Sequence, residues 1–353
     1  MTDFIDSVMG FNPADLSVFK EETKADFNQN IYKPNPKDSK SEDGNYRSRI
    51  RVIYNPNDIK QSIVKQATYA MNDQDGFFMV KSKLGNGDKE CPIFKSWKKL
   101  WFSGDENKKE WAKKMYEKTE SQWVLVQVLE DENQPELVGK ILVWKLPKAI
   151  FNKMTAKMNP SPESKKAPVP VMDYLIGLPL DLDVAPGPDD PKAPERKQRE
   201  ISYDLCDFDT EYAPIIKVDG TPLFSEEELE LIDSYVTAKN DLVKAKTDAK
   251  RTAAQKAIEG LVPQIKELYK KALEYMKENA LDLVKECAYQ EWDEQTAVRV
   301  QNWIDVVATM QDPKTVTVNE AAPTAAVVTE AVEETFVDPA MEVLGAGEDD
   351  LPF

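Results

Sequence analysis

Residues 121–147 read SQWVLVQVLEDENQPELVGKILVWKLP. Two runs rich in Val, Leu, Ile and Trp flank an acidic turn containing Pro135, the pattern of a long β-hairpin with Val124 to Leu129 and Ile141 to Trp144 as core strands. Upstream, residues 45–56, NYRSRIRVIYNP, alternate strictly: Arg47, Arg49 and Arg51 fall on one face and Tyr46, Ile50, Val52 and Tyr54 on the other. That alternation predicts a half-buried strand whose solvent face is basic. GFFMVKSKLG, after the turn signal Asp75-Gly76, predicts another strand. Downstream, KAIFNKMTAKM predicts a short helix, and VMDYLIGLPLDLDVAPG a strand pair or a strand and bend. Several strands with one helical insertion suggest a small β-barrel.

The insertion is residues 91–118, CPIFKSWKKLWFSGDENKKEWAKKMYEK. Phe94, Trp97, Trp101 and Trp111 recur loosely at helical intervals, interleaved with Lys95, Lys98, Lys99, Lys108, Lys109, Lys113 and Lys114. Single-stranded nucleic acid calls for this mixture, because cationic side chains follow phosphates while aromatic faces stack unpaired bases without reading sequence. The Arg47/Arg49/Arg51 ladder and the hairpin tryptophans Trp123 and Trp144 extend the constellation. One such Trp is equally well explained as core; the grouping with bases is what points to binding.

Charge separates the chain into poles. Residues 45–150 hold 19 Lys and Arg against 14 acids, a net of +5, whereas residues 312–353 hold one Lys against ten acids, a net of −9. The whole chain sits at −17, so the basic body is visible only segment by segment.

The chain contains no histidine, which removes Ser-His-Asp and Cys-His nucleophile systems and imidazole metal sites. Cys91, Cys206 and Cys287 are odd in number and far apart, giving neither a disulfide framework nor paired CxxC knuckles. Cys91-Pro92 resembles the start of a knuckle, but position 94 is Phe, so zinc is not expected. Neither GxxxxGK[ST] nor GxGxxG occurs. No catalytic residue, metal or cofactor is therefore assigned. No apolar run approaches the roughly 18 residues of a membrane helix, and the acidic N-terminus is unlike a signal peptide. A cytoplasmic location with no membrane partner is expected.

By segment, residues 1–44 are polar and read as an arm and linker, and residues 45–218 as the β core. Residues 219–311 read as long amphipathic helices opened by a Ser225 N-cap with Glu228 as capping-box partner and containing Pro263 as a kink or helix start. Residues 312–353 read as a flexible acidic tail ending GEDDLPF.

In this order, RVIYNPND, the Cys91-Pro92 pair, LWFSGDENKKEW, KKMYEKTESQW and its hairpin, and SYDLCDF after a Pro-rich stretch resemble the single-stranded DNA-binding, helix-destabilising proteins of T-even-type phages. The resemblance spans about residues 45–218. It implies an α+β fold with an OB-fold-type β-barrel core, helical insertion and a cleft for single-stranded DNA. It places Trp101, Trp111 and Tyr203 at base-stacking positions and Lys113, Lys114 and Lys118 in a basic run. The candidate DNA contacts are then Arg47, Arg49, Arg51, Lys95, Trp97, Lys98, Lys99, Trp101, Trp111, Lys113, Lys114, Tyr116, Lys118, Trp144 and Tyr203.

Two features depart from the family. Its zinc lobe lacks ligands here, so packing of Phe94, Trp97 and Trp101 must hold that lobe, and its basic N-terminal arm is not recognisable, which leaves self-association on DNA open.

The tip, Asp349, Asp350, Leu351, Pro352 and Phe353, resembles the ends of bacterial single-stranded DNA-binding proteins. It implies a hook for enzymes of replication, recombination and repair in an infected bacterium. Two other readings stay open: a scaffold whose OB-like domain binds protein or RNA, and a metal-dependent nuclease using pairs such as Asp181/Asp183 or Asp204/Asp207.

Overall fold

The computed structural model describes residues 30–161, 167–187 and 201–315. Its strands, numbered along the chain, are β1 (Ile31–Tyr32), β2 (Tyr46–Ile53), β3 (Val64–Asp73), β4 (Gly76–Ser82), β5 (Glu117–Asp131), β6 (Ile141–Leu146), β7 (Leu180–Pro186), β8 (Ile201–Ser202) and β9 (Asp207–Phe208). Its helices are α1 (Pro92–Trp101), α2 (Glu106–Met115), α3 (Lys148–Met158), α4 (Glu226–Lys244), α5 (Asp248–Asn279), α6 (Leu283–Cys287) and α7 (Glu294–Ala308). They form two compact units. One comprises the chain up to Gln66 together with Ser121–Gln290, and the other Ala67–Glu120 with the chain from Glu291.

The first unit is built on the order β1-β6-β5-β2-β7-β8, with β9 also on β7. The expected hairpin is its centre: β5 and β6 pair antiparallel, with Val124 opposite Trp144 and Val126 opposite Leu142. β2 lies on the other side of β5, and a bulge between Arg49 and Ile50 shifts its register, which coils the strand. The result is an open, curled half-barrel consistent with the OB-like core expected; β1 and β8, each two residues long, end the path without pairing to each other among the described residues.

The ordered body also begins before residue 45. β1 pairs parallel with β6, and Tyr32 is buried, its hydroxyl donating to Asp131 Oδ2 at 3.0 Å. Tyr46 donates to the same oxygen at 2.7 Å, while Oδ1 accepts from the backbone N–H groups of Asn133 and Gln134 at 2.9 Å each. A buried carboxylate with four donors has its lone pairs filled and ties the first strand to the hairpin turn.

α4 and α5 form an antiparallel hairpin in the same unit. Ser225 and Glu228 close the expected capping box. Ile232, Tyr235, Ile265, Leu268, Ala272 and Met276 pack into the core that holds the β-sheet side chains. Pro263 neither starts nor ends a helix; it lies inside α5, which runs unbroken through it. α7, by contrast, contributes to the second unit, so the helices after residue 219 do not make one region.

The second unit contains the β3–β4 hairpin, α1, α2 and α7. Gly76 takes a φ of 105° at the turn, which favours glycine. Tyr69, Met71, Val80, Ile93, Trp97 and Trp303 are among its core. No helix among the described residues is long and apolar enough to cross a membrane.

Candidate nucleic-acid interface

In the second unit, Asp105 caps α2 by accepting from Asn107 N–H at 2.9 Å, and Gly104, with φ 75°, reverses the chain between α1 and α2. The two helices present the aromatic and basic residues as a cluster. Phe94, Trp97 and Trp101 recur along α1 and their rings stack successively, with centroids 5.5 and 5.4 Å apart. Trp97 is buried, Phe94 and Trp101 are half-buried, and Phe102, beyond the helix end, is 63 % exposed.

Lys109 and Lys113 from α2 place their ammonium groups 5.5 and 5.8 Å from the Trp101 ring centroid. The half-buried indole, with Trp97 stacked against it and two cations over its ring, combines the aromatic surface and positive charge that unpaired bases and their phosphates call for. Lys114 lies 5.4 Å from the Trp111 ring, whose indole N–H donates to Val307 O at 3.0 Å. Lys98 and Lys99 are exposed on the last turn of α1. Lys95, Lys109 and Lys113 pair with exposed Glu90, Glu106 and Glu110, so water screens these contacts and they are weak, whereas Lys118, which pairs with Glu120, has a side chain only 11 % exposed.

The core below this cluster is largely apolar, with a few internal hydrogen bonds. Cys91 is buried and within 3.0 Å of Ser82 Oγ, and Tyr116 shares a 2.6 Å hydrogen bond with Ser96 while meeting Trp303 edge to face. Burial pushes the Tyr116 phenol up to about 12. Phe94, Trp97 and Trp101 pack on this core. Among the described residues, no group of three or more His, Cys, Asp or Glu could hold a metal ion.

In the first unit the arginine ladder differs from expectation. Arg47 pairs with Asp43 and, at 3.5 Å, with Asp183; Arg49 pairs with Asp209 and, at 3.5 Å, with Asp181. The carboxylates considered as a nuclease pair, Asp181 and Asp183, thus lie against arginines across the β2–β7 ladder. Arg51 is fully buried and donates to the carbonyls of Asp173, Tyr174 and Ala213. Burial pulls its guanidinium down to about 10. On the face expected to be basic and solvated, two arginines are each met by two carboxylates, and the third holds the 173–177 bend.

Four candidate contacts are therefore corrected. Arg51, Trp97, Tyr116 and Trp144 are buried at 0 to 3 % exposure, because each fills space or bonds carbonyls within the protein. Tyr203 is half-buried, edge-on to Trp144 at 6.3 Å. The sequence reading missed Phe102, Phe77 at 64 % and Met79 at 58 % exposure. The signal was available for β4: in GFFMVKS both faces are apolar, more than a one-sided hairpin needs. The tip residues Asp349 to Phe353 lie outside the described residues.

Residues 44–215 match the family model described as gp32 DNA binding protein like. This is a gp32-like DNA-binding domain. No curated protein matches the chain. The gp32-like match runs through parts of both units, since 67–120 falls inside it, and α4, α5, α6 and α7 lie beyond it. The resemblance read from the Arg-rich strand, the Lys-Trp segment and the hairpin is thus to the matching family, with boundaries one and three residues from those expected.

Proposed function

We propose that the gp32-like domain coats single-stranded DNA by phosphate neutralisation and base stacking, with little sequence preference. The observation that carries this reading is Trp101, half-exposed at the end of a three-ring stack, with Lys109 and Lys113 beside its ring and Lys98, Lys99 and Phe102 next to it in sequence. Stacking of one base on such a ring contributes roughly 1 to 3 kcal/mol, and each cation that meets a phosphate adds a salt-dependent share. Lys95, Lys113, Lys114, Trp111 and Tyr203 complete the proposed contacts, with Arg47 and Arg49 contributing only where DNA displaces their acids.

The function is non-enzymatic and serves replication, recombination and repair in a phage-infected bacterial cytoplasm. The acidic segment 312–353, with ten acids against one base, supports a role in recruiting enzymes through Asp349, Asp350, Leu351, Pro352 and Phe353. Titration with oligo(dT) tests the main reading: tryptophan fluorescence is quenched and salt restores it. An absence of quenching, with no retardation of the oligonucleotide in a gel, would sink it.

A further inference from the structure

The α4–α5 hairpin is electrically polarised along its length. Its near end, residues 226–236 with 265–279, carries eight acids against four bases, a net of −4, whereas residues 237–256, around the connection Ala245-Lys246-Thr247, carry six bases against two acids, a net of +4. Near the core the helices are held by Ile265, Leu268, Ala272 and Met276. Towards the connection that support ends: Ala238 and Ala254 are buried but belong to neither hydrophobic core. From Asp248 to Pro263 the helix advances roughly 22 Å at its usual rise.

Most of the bases at this end are not neutralised. Lys244, Lys246, Lys250 and Lys256 are exposed and make no ion pair among the described residues, and Arg251 has only a 4.0 Å approach to exposed Asp248. Arg47 and Arg49 of the same unit each face two carboxylates. The hairpin end also exposes no aromatic ring, so it has nothing on which a base would stack. A linear run of such cations without aromatics fits a polyanion recognised by its phosphates alone.

We infer that the end of the α4–α5 hairpin is a second contact for single-stranded DNA, binding phosphates and not bases. The inference rests on the single-stranded DNA reading above and extends it outside the gp32-like match. It makes the footprint of the full chain longer than that of the stacking cluster.

The test uses the full chain with Lys244, Lys246, Lys250 and Lys256 replaced by Gln, and a second variant with the same residues replaced by Glu. Circular dichroism confirms that the helices persist. Affinity for oligo(dT) of increasing length is measured against salt. The Gln variant should show a salt slope shallower by roughly 0.7 for each phosphate that is no longer neutralised. The weakening should appear only with longer oligonucleotides, with unchanged tryptophan quenching at saturation, and the Glu variant should bind more weakly still. A slope unchanged at every length overturns the inference, including the case in which the variant instead loses affinity for a peptide of residues 316–353. If the unmodified chain itself fails to bind oligo(dT), the proposed function fails, which is a separate result.

Discussion

Tyr269 of α5 donates its hydroxyl to Oδ2 of buried Asp173 at 2.6 Å, while Asp173 Oδ1 accepts from the N–H groups of Leu175 and Ile176. The carbonyl of the same residue takes a guanidinium N–H from Arg51. One aspartate thus joins strand, bend and helical hairpin, and its Oδ2 takes its donor from the phenol in a buried site.

Tyr269→Phe should destabilise the chain by about 1 to 3 kcal/mol, the range for a buried polar group that loses its partner. Urea unfolding followed by circular dichroism measures this. A change within about 0.3 kcal/mol would mean that the bond does not hold the hairpin.

Trp101→Ala should weaken oligo(dT) binding by roughly 5- to 150-fold, the equivalent of one stacked base. Fluorescence anisotropy of a labelled oligonucleotide reads the affinity without relying on the tryptophans. Full affinity in the variant would remove Trp101 from the interface.

Lys98→Gln with Lys99→Gln should flatten the salt dependence of binding by about 0.7 per neutralised phosphate, whereas Arg47→Gln should change it little, because Asp43 and Asp183 already face that guanidinium. Equal effects of the two substitutions would show that the acids leave Arg47 when DNA arrives.

Arg299 of α7 grips Asp73 through two 2.7 Å bonds, and this hydrogen bonding holds the Asp73 carboxyl below its ordinary range. In the window between the lowered folded value and the ordinary one near 4, the unfolded chain binds more protons, so stability there rises with pH. The contribution is complete above the ordinary value and lost as pH falls through the folded one. Thermal melts of the unmodified chain and Asp73→Asn should differ most near neutrality and converge in acid; a constant gap would contradict this.

The β5–β6 hairpin, α3 and the capped start of α4 were legible because period and caps are local properties of VLVQVL, KAIFNKM and Ser225-Glu228. Arg51 was not legible. Its alternation with Arg47 and Arg49 is correct along the strand, but the bend at 173–177, more than a hundred residues away, covers it. The same holds for Trp97, Tyr116 and Trp144, since a sequence does not say which aromatic of a group becomes floor and which remains accessible. Tyr32 escaped notice because a two-residue strand has no period; its partner Asp131 lies ninety-nine residues on. Asp43 is local to Arg47, but Asp181, Asp183 and Asp209, the other acids facing Arg47 and Arg49, come from β7 and the 209 turn, which the β2–β7 pairing brings near.

Trp303 and Val307 of α7 complete the packing around Tyr116 and Trp111, although more than 180 residues of chain are made between them. During synthesis, the aromatic cluster emerges from the ribosome long before the helix that closes its core. A nascent chain therefore carries the Lys-Trp segment without its finished support until the helix at Glu294–Ala308 has been made.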